Sequence, residues 1–184
     1  IKTQAELYRI RQSALPLQNL EVRALHGECL REMKLKKPVP VYSTAFLKSP
    51  VITGLFFPRI YVPIHLISDF NSVDMRYMLL HELQHYKHKD AFANYLMNLA
   101  GILYWFNPFV WLLKREVRHN LEYLADNTVI QSGYDSKSYQ YHLLGLAHHQ
   151  SVTTLYNSFN VLHLKNRIMM MNKKRSRDRG RFRT

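Results

Sequence analysis

The sequence predicts an α+β fold in which several helices surround one small β-sheet. Two stretches with helical periodicity, one at the start of the chain and one from residue 72 onward, enclose a segment of different composition. That segment, residues 38–63, is rich in β-branched and aromatic residues and is punctuated by prolines, as is typical of short strands. At 184 residues the chain can bury one substantial core, which favours a single domain.

The first part of the chain is predicted to form a helical stretch followed by the sheet. A helical pattern covers residues 3–34, with a break near Leu15 and Pro16. Prolines at the ends of the β-rich runs favour a small sheet with exposed edges. The predicted strands are residues 39–46, 51–56 and 59–62.

A long helix is predicted to follow the sheet, over residues 72–104, with Ser72 as its N-cap. Asn107 and Pro108 then have the residue types preferred at an N-cap and at the first helical position, so a second helix is expected over residues 108–132. A third helix is predicted over residues 136–149. The two longer helices carry most of the residues that are candidates for chemistry.

The end of the chain is predicted to be less regular. Residues 151–171 read as an irregular segment that ends in a short helical piece. Residues 172–184 are basic and poor in apolar side chains, which indicates a flexible tail beyond a domain of residues 1–171. Because residue 1 begins within a helical pattern and is not Met, we expect the chain to be a segment of a longer protein.

The composition limits the kinds of site and partner. Cys29 is the only cysteine, so an internal disulfide is excluded, and any zinc site must use histidines and carboxylates. The formal net charge of +13 is compatible with an anionic membrane surface, an acidic partner or nucleic acid. No recognisable nucleic-acid-reading motif accompanies the charge, so nucleic acid is the least favoured of these partners.

One stretch, residues 91–114, is apolar and rich in Trp and Tyr, and two interpretations of it stay open. Several asparagines and one proline interrupt it, so it does not reach the roughly 18 uninterrupted apolar residues of a membrane span. Burial in the protein core is the simpler interpretation. Packing close to a membrane is the alternative, because aromatic residues of these types favour the interface.

The chemical signal lies in the sequence HELQH, residues 81–85. His81 and His85 are four residues apart, so both rings project from one face of a helix and can bind one zinc ion. Glu82 lies between them, next to the open coordination site, in the position of a general base. A third protein ligand must come from another part of the chain.

The second predicted helix offers that third ligand. Glu122 and Asp126 are four residues apart and therefore share one helix face. A glutamate on a second, antiparallel helix would complete a two-histidine zinc site, and Asp126 would then accept a hydrogen bond from a zinc-bound histidine. His119 is the main rival ligand, followed by Glu116 and Asp90.

The sequence from His81 to Trp111, with EYLAD downstream at residues 122–126, resembles the BlaR/MecR-type antirepressor metallopeptidases. The strand region at residues 41–63 resembles the segment that precedes the zinc helix in that family. These proteins are bacterial integral-membrane sensor-transducers of the β-lactam response. Many members have Cys immediately before the aspartate of the second motif, where this chain has Ala125, and that difference leaves the ligand assignment intact.

The resemblance implies a small zincin of the minigluzincin type, with a short mixed sheet packed on the HExxH helix and an antiparallel ExxxD helix. It implies Zn²⁺ bound by His81, His85 and Glu122, with Glu82 as the catalytic base. It also implies a domain on the cytoplasmic face of the inner membrane, attached through flanking segments, that cleaves a transcriptional repressor or its own cytoplasmic loop. The alternative is a non-catalytic, zinc-stabilised transducer that acts by protein contact, which the presence of Glu82 disfavours.

Four further expectations concern the surroundings of this site. Arg167 resembles an arginine near the end of related zincins and is expected to pair with Asp126 or with a substrate carbonyl. Asp90 is expected to cap a helix, form a local ion pair or support a zinc ligand. The segment 41–47 is expected to be the sheet edge that binds an extended peptide. Its central residues are Ser43, Thr44, Ala45 and Phe46. The peptide bond between Ser158 and Phe159 is the candidate for self-cleavage.

Overall fold

The computed structural model describes residues 4–35, 37–47, 49–68, 71–150 and 157–173. It confirms a mixed α+β architecture, with eight helices and one four-stranded sheet among the described residues. The helices are α1 Gln4–Ser13, α2 Leu20–Glu32, α3 Ile64–Ser68, α4 Ser72–Lys87, α5 Asp90–Leu103, α6 Pro108–Gln131, α7 Ser136–Gln150 and α8 Asn157–Asn172. The strands are β1 Leu15–Pro16, β2 Val41–Thr44, β3 Val51–Thr53 and β4 Arg59–Pro63.

The sheet has the strand order β1-β2-β4-β3, so β3 is an edge strand and β2 is an inner one. β2 pairs in parallel with β4, and β3 pairs antiparallel to β4. On its other side β2 pairs with the two residues of β1, where Leu15 lies opposite Ser43 and Pro16 opposite Tyr42. Leu15 and Pro16, where the sequence predicts a break between helices, therefore form a short strand that pairs with β2.

The prediction that residues 41–47 form the exposed edge is therefore wrong. Ser43 and Thr44 lie within a strand that is paired on both sides, and Thr44 is buried. Ala45 and Phe46 follow the strand in an exposed bend, where they form no ladder. The sequence reading missed β1 because a two-residue strand that contains a proline gives no period-2 signal.

Helix α4 lies at the centre of the main core. It is buried on nearly all sides because it contacts α2, α6, α7 and the edge strand β3. Helices that are apolar around their circumference are typical of such central positions. Its buried apolar residues pack with residues of β4, α2 and α6. On α4 these residues are Met75, Tyr77, Met78, Leu79, Leu80 and Leu83, and their partners include Ile60, Val62, Val22, Cys29 and Val129.

The long helix predicted over residues 72–104 is two helices, α4 and α5. The chain leaves α4 at His88, and Lys89 takes a left-handed conformation with a φ of 59° before α5 begins at Asp90. The N-cap of α4 is Asn71, whose side chain accepts a hydrogen bond from the Val73 backbone N–H at 3.0 Å, and not the predicted Ser72. The break changes the direction of the chain directly after His85.

The later helices are close to the expected positions, with one exception. α6 begins at Pro108 behind an Asn107 cap, whose side chain accepts from the Phe109 backbone N–H at 3.0 Å. The exception is α8, which begins at Asn157, in the part of the chain predicted to be irregular. Residues 174–184 of the predicted tail lie outside the described residues.

Gly54, at the turn between β3 and β4, gives a test of this architecture. Its φ is 105°, and a Cβ at this position would come within 2.3 Å of the Phe57 carbonyl oxygen. We expect Gly54→Ala to lower the free energy of unfolding by about 2–3 kcal/mol, because an L side chain strains this backbone and meets a backbone atom. Urea unfolding of the two proteins gives the difference.

The matched control for this change is Gly145→Ala in α7, where a Cβ would meet no atom within 4 Å. There the substitution is expected to raise the stability by about 0.5–1 kcal/mol through helix propensity. Equal effects of the two substitutions would contradict the turn geometry described here.

Candidate metal centre

Helix α4 presents two imidazoles to one point. The side chains of His81 and His85 lie on the same face, with their rings perpendicular and the centroids 4.7 Å apart. Their Nε2 atoms are 3.1 Å apart. This is the arrangement that the i, i+4 spacing predicts on a helix.

Helix α6 brings a carboxylate to the same point. Glu122 Oε2 lies 3.4 Å from His81 Nε2, and Glu122 Oε1 lies 3.9 Å from His85 Nε2. Among the described residues these three side chains form the one group of at least three whose ligand atoms all lie within 4.8 Å of one another. In a tetrahedral zinc site with ligands about 2.0–2.1 Å from the ion, ligand atoms are separated by about 3.3 Å, so the group has the dimensions of a metal site.

The outer nitrogen of His81 is held by a chain of hydrogen bonds. Its Nδ1 lies 2.9 Å from the hydroxyl oxygen of Tyr139, and that hydroxyl donates to Asp126 Oδ1 at 2.8 Å. Because the Tyr139 proton goes to the carboxylate, its oxygen accepts from Nδ1–H of His81. In the neutral form of His81 the lone pair is then on Nε2, which faces His85 and Glu122, as metal binding requires.

His85 is held in the same way by the residue that opens the next helix. Its Nδ1 lies 2.6 Å from Oδ2 of Asp90, which is almost fully buried at the first position of α5. The left-handed Lys89 places that carboxylate behind the ring. Both histidines therefore direct Nε2 towards the same point, and the donor set of two imidazoles and one carboxylate fits a divalent metal ion.

Asp126 and Arg167 form a bidentate pair beneath the site. The guanidinium donates from Nε to Oδ2 at 2.8 Å and from Nη2 to Oδ1 at 2.6 Å. Nη1 of the same arginine lies 3.3 Å from Oε2 of Glu122. Arg167 of α8 thus bridges the two carboxylates of α6, and the expected pairing with Asp126 is present.

The charges of the site are strongly coupled. Burial favours a neutral His81, but the Asp126 carboxylate, 3.3 Å from its Nδ1, and the Glu122 carboxylate, 3.4 Å from its Nε2, outweigh burial and raise the pKa of His81 to about 9. Burial would raise the pKa of Glu122, yet the neighbouring His81, with Arg167 and His85, lowers it to about 2. Burial likewise opposes ionisation of Asp126, and hydrogen bonds from Arg167 and His81 lower its pKa below the usual range. Two ionised carboxylates therefore share Arg167 and a protonated His81, and a metal ion bound here would replace the proton of His81.

Glu82 lies between the histidines and the edge of the sheet. Its Oε2 accepts a hydrogen bond from the Ile52 backbone N–H of β3 at 2.7 Å. Burial is the main reason that the pKa of Glu82 is raised, and the charges of His85 and His81 partly oppose this effect. A carboxylate with a raised pKa is better matched to proton transfer near neutral pH than an exposed one.

A cleft of about 1790 Å³ opens above these groups. Its walls are β3 with the turn that follows it and parts of helices α4 to α8. Phe56 and Phe57 on the turn are more than four-fifths exposed at the rim, and Phe92 of α5 is about half exposed. The site is therefore reached from solvent through a wide groove with apolar walls, which suits an extended chain better than a small molecule.

The sequence profile described as BlaR1 peptidase M56 matches residues 4–171 of this chain. The chain belongs to the BlaR1 peptidase M56 family. M56 is a family of metallopeptidases, and the group of His81, His85 and Glu122 is a candidate metal site within it.

Individual relatives support the same assignment. The chain is 35% identical over 124 residues to the Regulatory protein BlaR1 of Bacillus licheniformis, which covers 67% of this chain and 20% of that protein. It is 27% identical over 104 residues to the Methicillin resistance mecR1 protein of Staphylococcus aureus, covering 56% and 18%. The Regulatory protein BlaR1 of Staphylococcus aureus is 29% identical over 100 residues, covering 53% and 17%. The matched part is about a fifth of each relative.

None of the three rival ligands belongs to the group of His81, His85 and Glu122. His119 Nδ1 is 3.8 Å from Oε1 of Glu116, and its ring faces that of His163 with the centroids 4.9 Å apart. Neither His119 nor Glu116 belongs to the group of converging ligand atoms. Asp90, the third rival, touches the outer nitrogen of His85 and not the converging atoms.

Two groups in the site had no sequence prediction. Tyr139 lies in a run with Tyr141, and the helical pattern alone does not distinguish the fully buried tyrosine from the exposed one. Ile52 takes part through its backbone, which carries no residue-specific signal. Both are brought to the site by tertiary packing of α7 and β3 against α4.

Removal of the Tyr139 hydroxyl tests the hydrogen-bond chain. We expect Tyr139→Phe to lower the affinity for a divalent metal ion by about tenfold or more, because His81 loses the group that orients its ring. Competition with a chromophoric chelator measures this affinity. Tyr141→Phe on the same helix, where the side chain is 73% exposed, should leave it unchanged. Equal metal affinity of Tyr139→Phe and the wild type would show that the hydroxyl does not orient the ligand.

Proposed function

We propose that this chain is a zinc-dependent endopeptidase domain with a small zincin fold of the minigluzincin type. The observation that carries the proposal is the convergence of His81 Nε2, His85 Nε2 and the Glu122 carboxylate, with the Glu82 carboxylate alongside. Membership of the M56 family supports the reaction class. Zinc is the metal most compatible with two imidazoles, one carboxylate and an open fourth position.

When bound, zinc would polarise the scissile carbonyl and lower the pKa of a water molecule to near neutrality. The residues of the chain supply the remaining chemistry. Glu82 takes the proton of the attacking water and transfers it to the leaving amine, for which its raised pKa is suited. The Ile52 N–H occupies Oε2 of Glu82, so Oε1 is the atom assigned to this proton.

The edge strand β3 is the surface that we assign to the substrate. Ile52 directs its N–H away from β4 and towards Glu82, and the carbonyl of a strand residue points to the same side as its N–H. A peptide that lies along β3 could therefore donate to the Ile52 carbonyl with its scissile bond next to Glu82. This assignment replaces the predicted edge at residues 41–47.

The cellular role follows from the resemblance to the BlaR/MecR-type proteins. We propose that the domain lies on the cytoplasmic face of a bacterial inner membrane as part of a longer membrane protein, where it cleaves a transcriptional repressor, its own cytoplasmic loop or both. Two of the relatives are named as a regulatory protein and a methicillin resistance protein, which fits a role in the response to antibiotics. The extent of the domain, residues 1–171, is part of this proposal.

Glu82→Gln separates the chemistry from metal binding. The amide cannot take a proton from water, so we expect peptide cleavage to fall by at least 10²-fold while one metal ion per chain is retained. The measurements are hydrolysis of an unstructured protein substrate and metal analysis of the purified protein. His81→Ala, by contrast, should lose both the metal and the activity.

Glu116→Gln is the matched control, since that glutamate side chain is exposed and lies on α6 away from the converging atoms. It should keep both metal and activity. If Glu82→Gln cleaves at the wild-type rate, the mechanism is wrong. A third outcome would favour the non-catalytic transducer. In that case the wild type and Glu82→Gln both bind zinc, neither cleaves the substrate, and Glu82→Gln still transmits the signal in cells.

Self-cleavage between Ser158 and Phe159 is a further prediction. The backbone of these residues lies in the first turn of α8 and not in an irregular segment, so cleavage requires this turn to unwind into an extended form. We expect mass spectrometry of aged wild-type protein to show a cut at this bond that is absent from Glu82→Gln. Fragments that end elsewhere, or that form equally in both proteins, would show that the bond between Ser158 and Phe159 is not a self-cleavage site.

A further inference from the structure

The turn between α5 and α6 is the most apolar exposed surface among the described residues. We call residues 102–113 the hairpin tip. Its large apolar side chains, except for the partly buried Val110, are at least half exposed: Ile102, Leu103, Tyr104, Trp105, Phe106, Phe109, Trp111, Leu112 and Leu113. Soluble proteins rarely expose a continuous apolar surface of this size unless it binds a partner or a membrane.

The exposure covers most of the circumference of α6 and is interrupted only along the partly buried line of Val110, Lys114 and Val117. Trp111, Leu112 and Leu113 are consecutive in α6 and differ by about 100° in direction, yet each is more than half exposed. A protein groove covers one face of a helix and would leave the others in water. A surrounding apolar medium covers all of them, as in helices that are hydrophobic around their whole circumference.

Several polar groups of the turn are hydrogen-bonded within the tip. The Trp111 indole N–H donates to the Trp105 carbonyl at 3.0 Å, and the Asn107 backbone N–H donates to the Tyr104 carbonyl at 2.9 Å. The Asn107 side chain accepts from the Phe109 N–H. Pairing of this kind removes the main cost of transferring a turn from water into the lipid interface.

The base of the tip is basic. No aspartate or glutamate occurs between Asp90 and Glu116, whereas Lys114, Arg115 and Arg118 follow the apolar residues along α6. Arg115 and Arg118 are exposed, and Lys114 Nζ lies 5.4 Å from the centre of the Trp111 ring. Along α6 the aromatic residues come first and the cations follow. In a bilayer this order would place the aromatic residues at the boundary of the acyl chains and the cations among the anionic headgroups.

We propose that the hairpin tip inserts into the interface of a membrane that contains anionic lipid. The tip is a shallow anchor: the first six residues of α6 rise by about 9 Å, which matches the 5–10 Å depth of interfacial helices. Within the part of the chain that is described, no helix combines the length and the hydropathy needed to cross a bilayer. The proposal stands independently of the peptidase reaction, because it uses none of the residues of the metal centre.

The tryptophans of the chain provide the test. Both of them, Trp105 and Trp111, lie in the tip, so intrinsic fluorescence reports on this surface alone. With vesicles of phosphatidylcholine and phosphatidylglycerol, we expect a blue shift of the emission, quenching by brominated lipid, and weaker effects on phosphatidylcholine alone. Arg115→Gln should weaken binding to the anionic vesicles by about fivefold.

The double variant Phe106→Ser/Phe109→Ser keeps both reporters and removes apolar surface, and it should bind at least tenfold more weakly. The matched control is Tyr141→Ser/Leu144→Ser, which changes two exposed side chains of α7 and should bind as the wild type does. Vesicle binding that is unchanged in the tip variant would overturn the proposal. A blue shift without vesicles, together with self-association in sedimentation experiments, would also overturn it. The tip would then be an interface between two copies of the chain.

Discussion

The metal centre depends on one buried ion pair, between Asp126 and Arg167. Asp126 is fully buried, and a carboxylate in that position is stable only if its charge is matched and its oxygens are hydrogen-bonded. Arg167 meets both requirements with two hydrogen bonds, and Tyr139 supplies a third. These three residues come from α6, α8 and α7, so their hydrogen bonds connect three helices. Tyr139 also contacts His81, which connects the three helices to α4. Loss of one partner would leave an uncompensated buried charge, at a cost of about 3–5 kcal/mol.

The same pair determines what the centre can bind. Arg167 is shared between Asp126 and Glu122, so two carboxylates share one guanidinium. With both carboxylates ionised, the proton of His81 supplies the second positive charge, and a divalent cation bound here would replace that proton. The Tyr139 hydroxyl and the Asp90 carboxylate complete the arrangement, because each receives the outer N–H of one histidine. These buried polar groups thus orient the rings of His81 and His85.

The parts of this site that the sequence reveals are those set by local helix geometry. The spacing of His81 and His85 and that of Glu122 and Asp126 each place two side chains on one helix face, whatever the rest of the fold does. The functions of Tyr139 and Asp90 depend on tertiary structure, and no spacing shows them. Asp90 reaches His85 only because Lys89 breaks a helix that the pattern continues to residue 104, and a left-handed lysine has no reliable signal in a single sequence. The edge strand was misassigned for a related reason, since the covering strand β1 is two residues long and comes from a distant part of the chain.

Helices α5 and α6 connect the hairpin tip to the metal centre, and their lengths fix the distance between them. Asp90 begins α5, and Ile102, at the start of the tip, lies twelve residues later, which is a rise of about 18 Å. Along α6, thirteen residues separate Phe109 from Glu122, a rise of about 20 Å. The two helices therefore give the same separation independently. With the tip inserted, the centre would lie up to about 20 Å from the interface, a distance that about six extended residues span. A flexible loop that leaves the membrane nearby would reach the cleft at high local concentration, whereas a repressor in solution would have to be recruited to it.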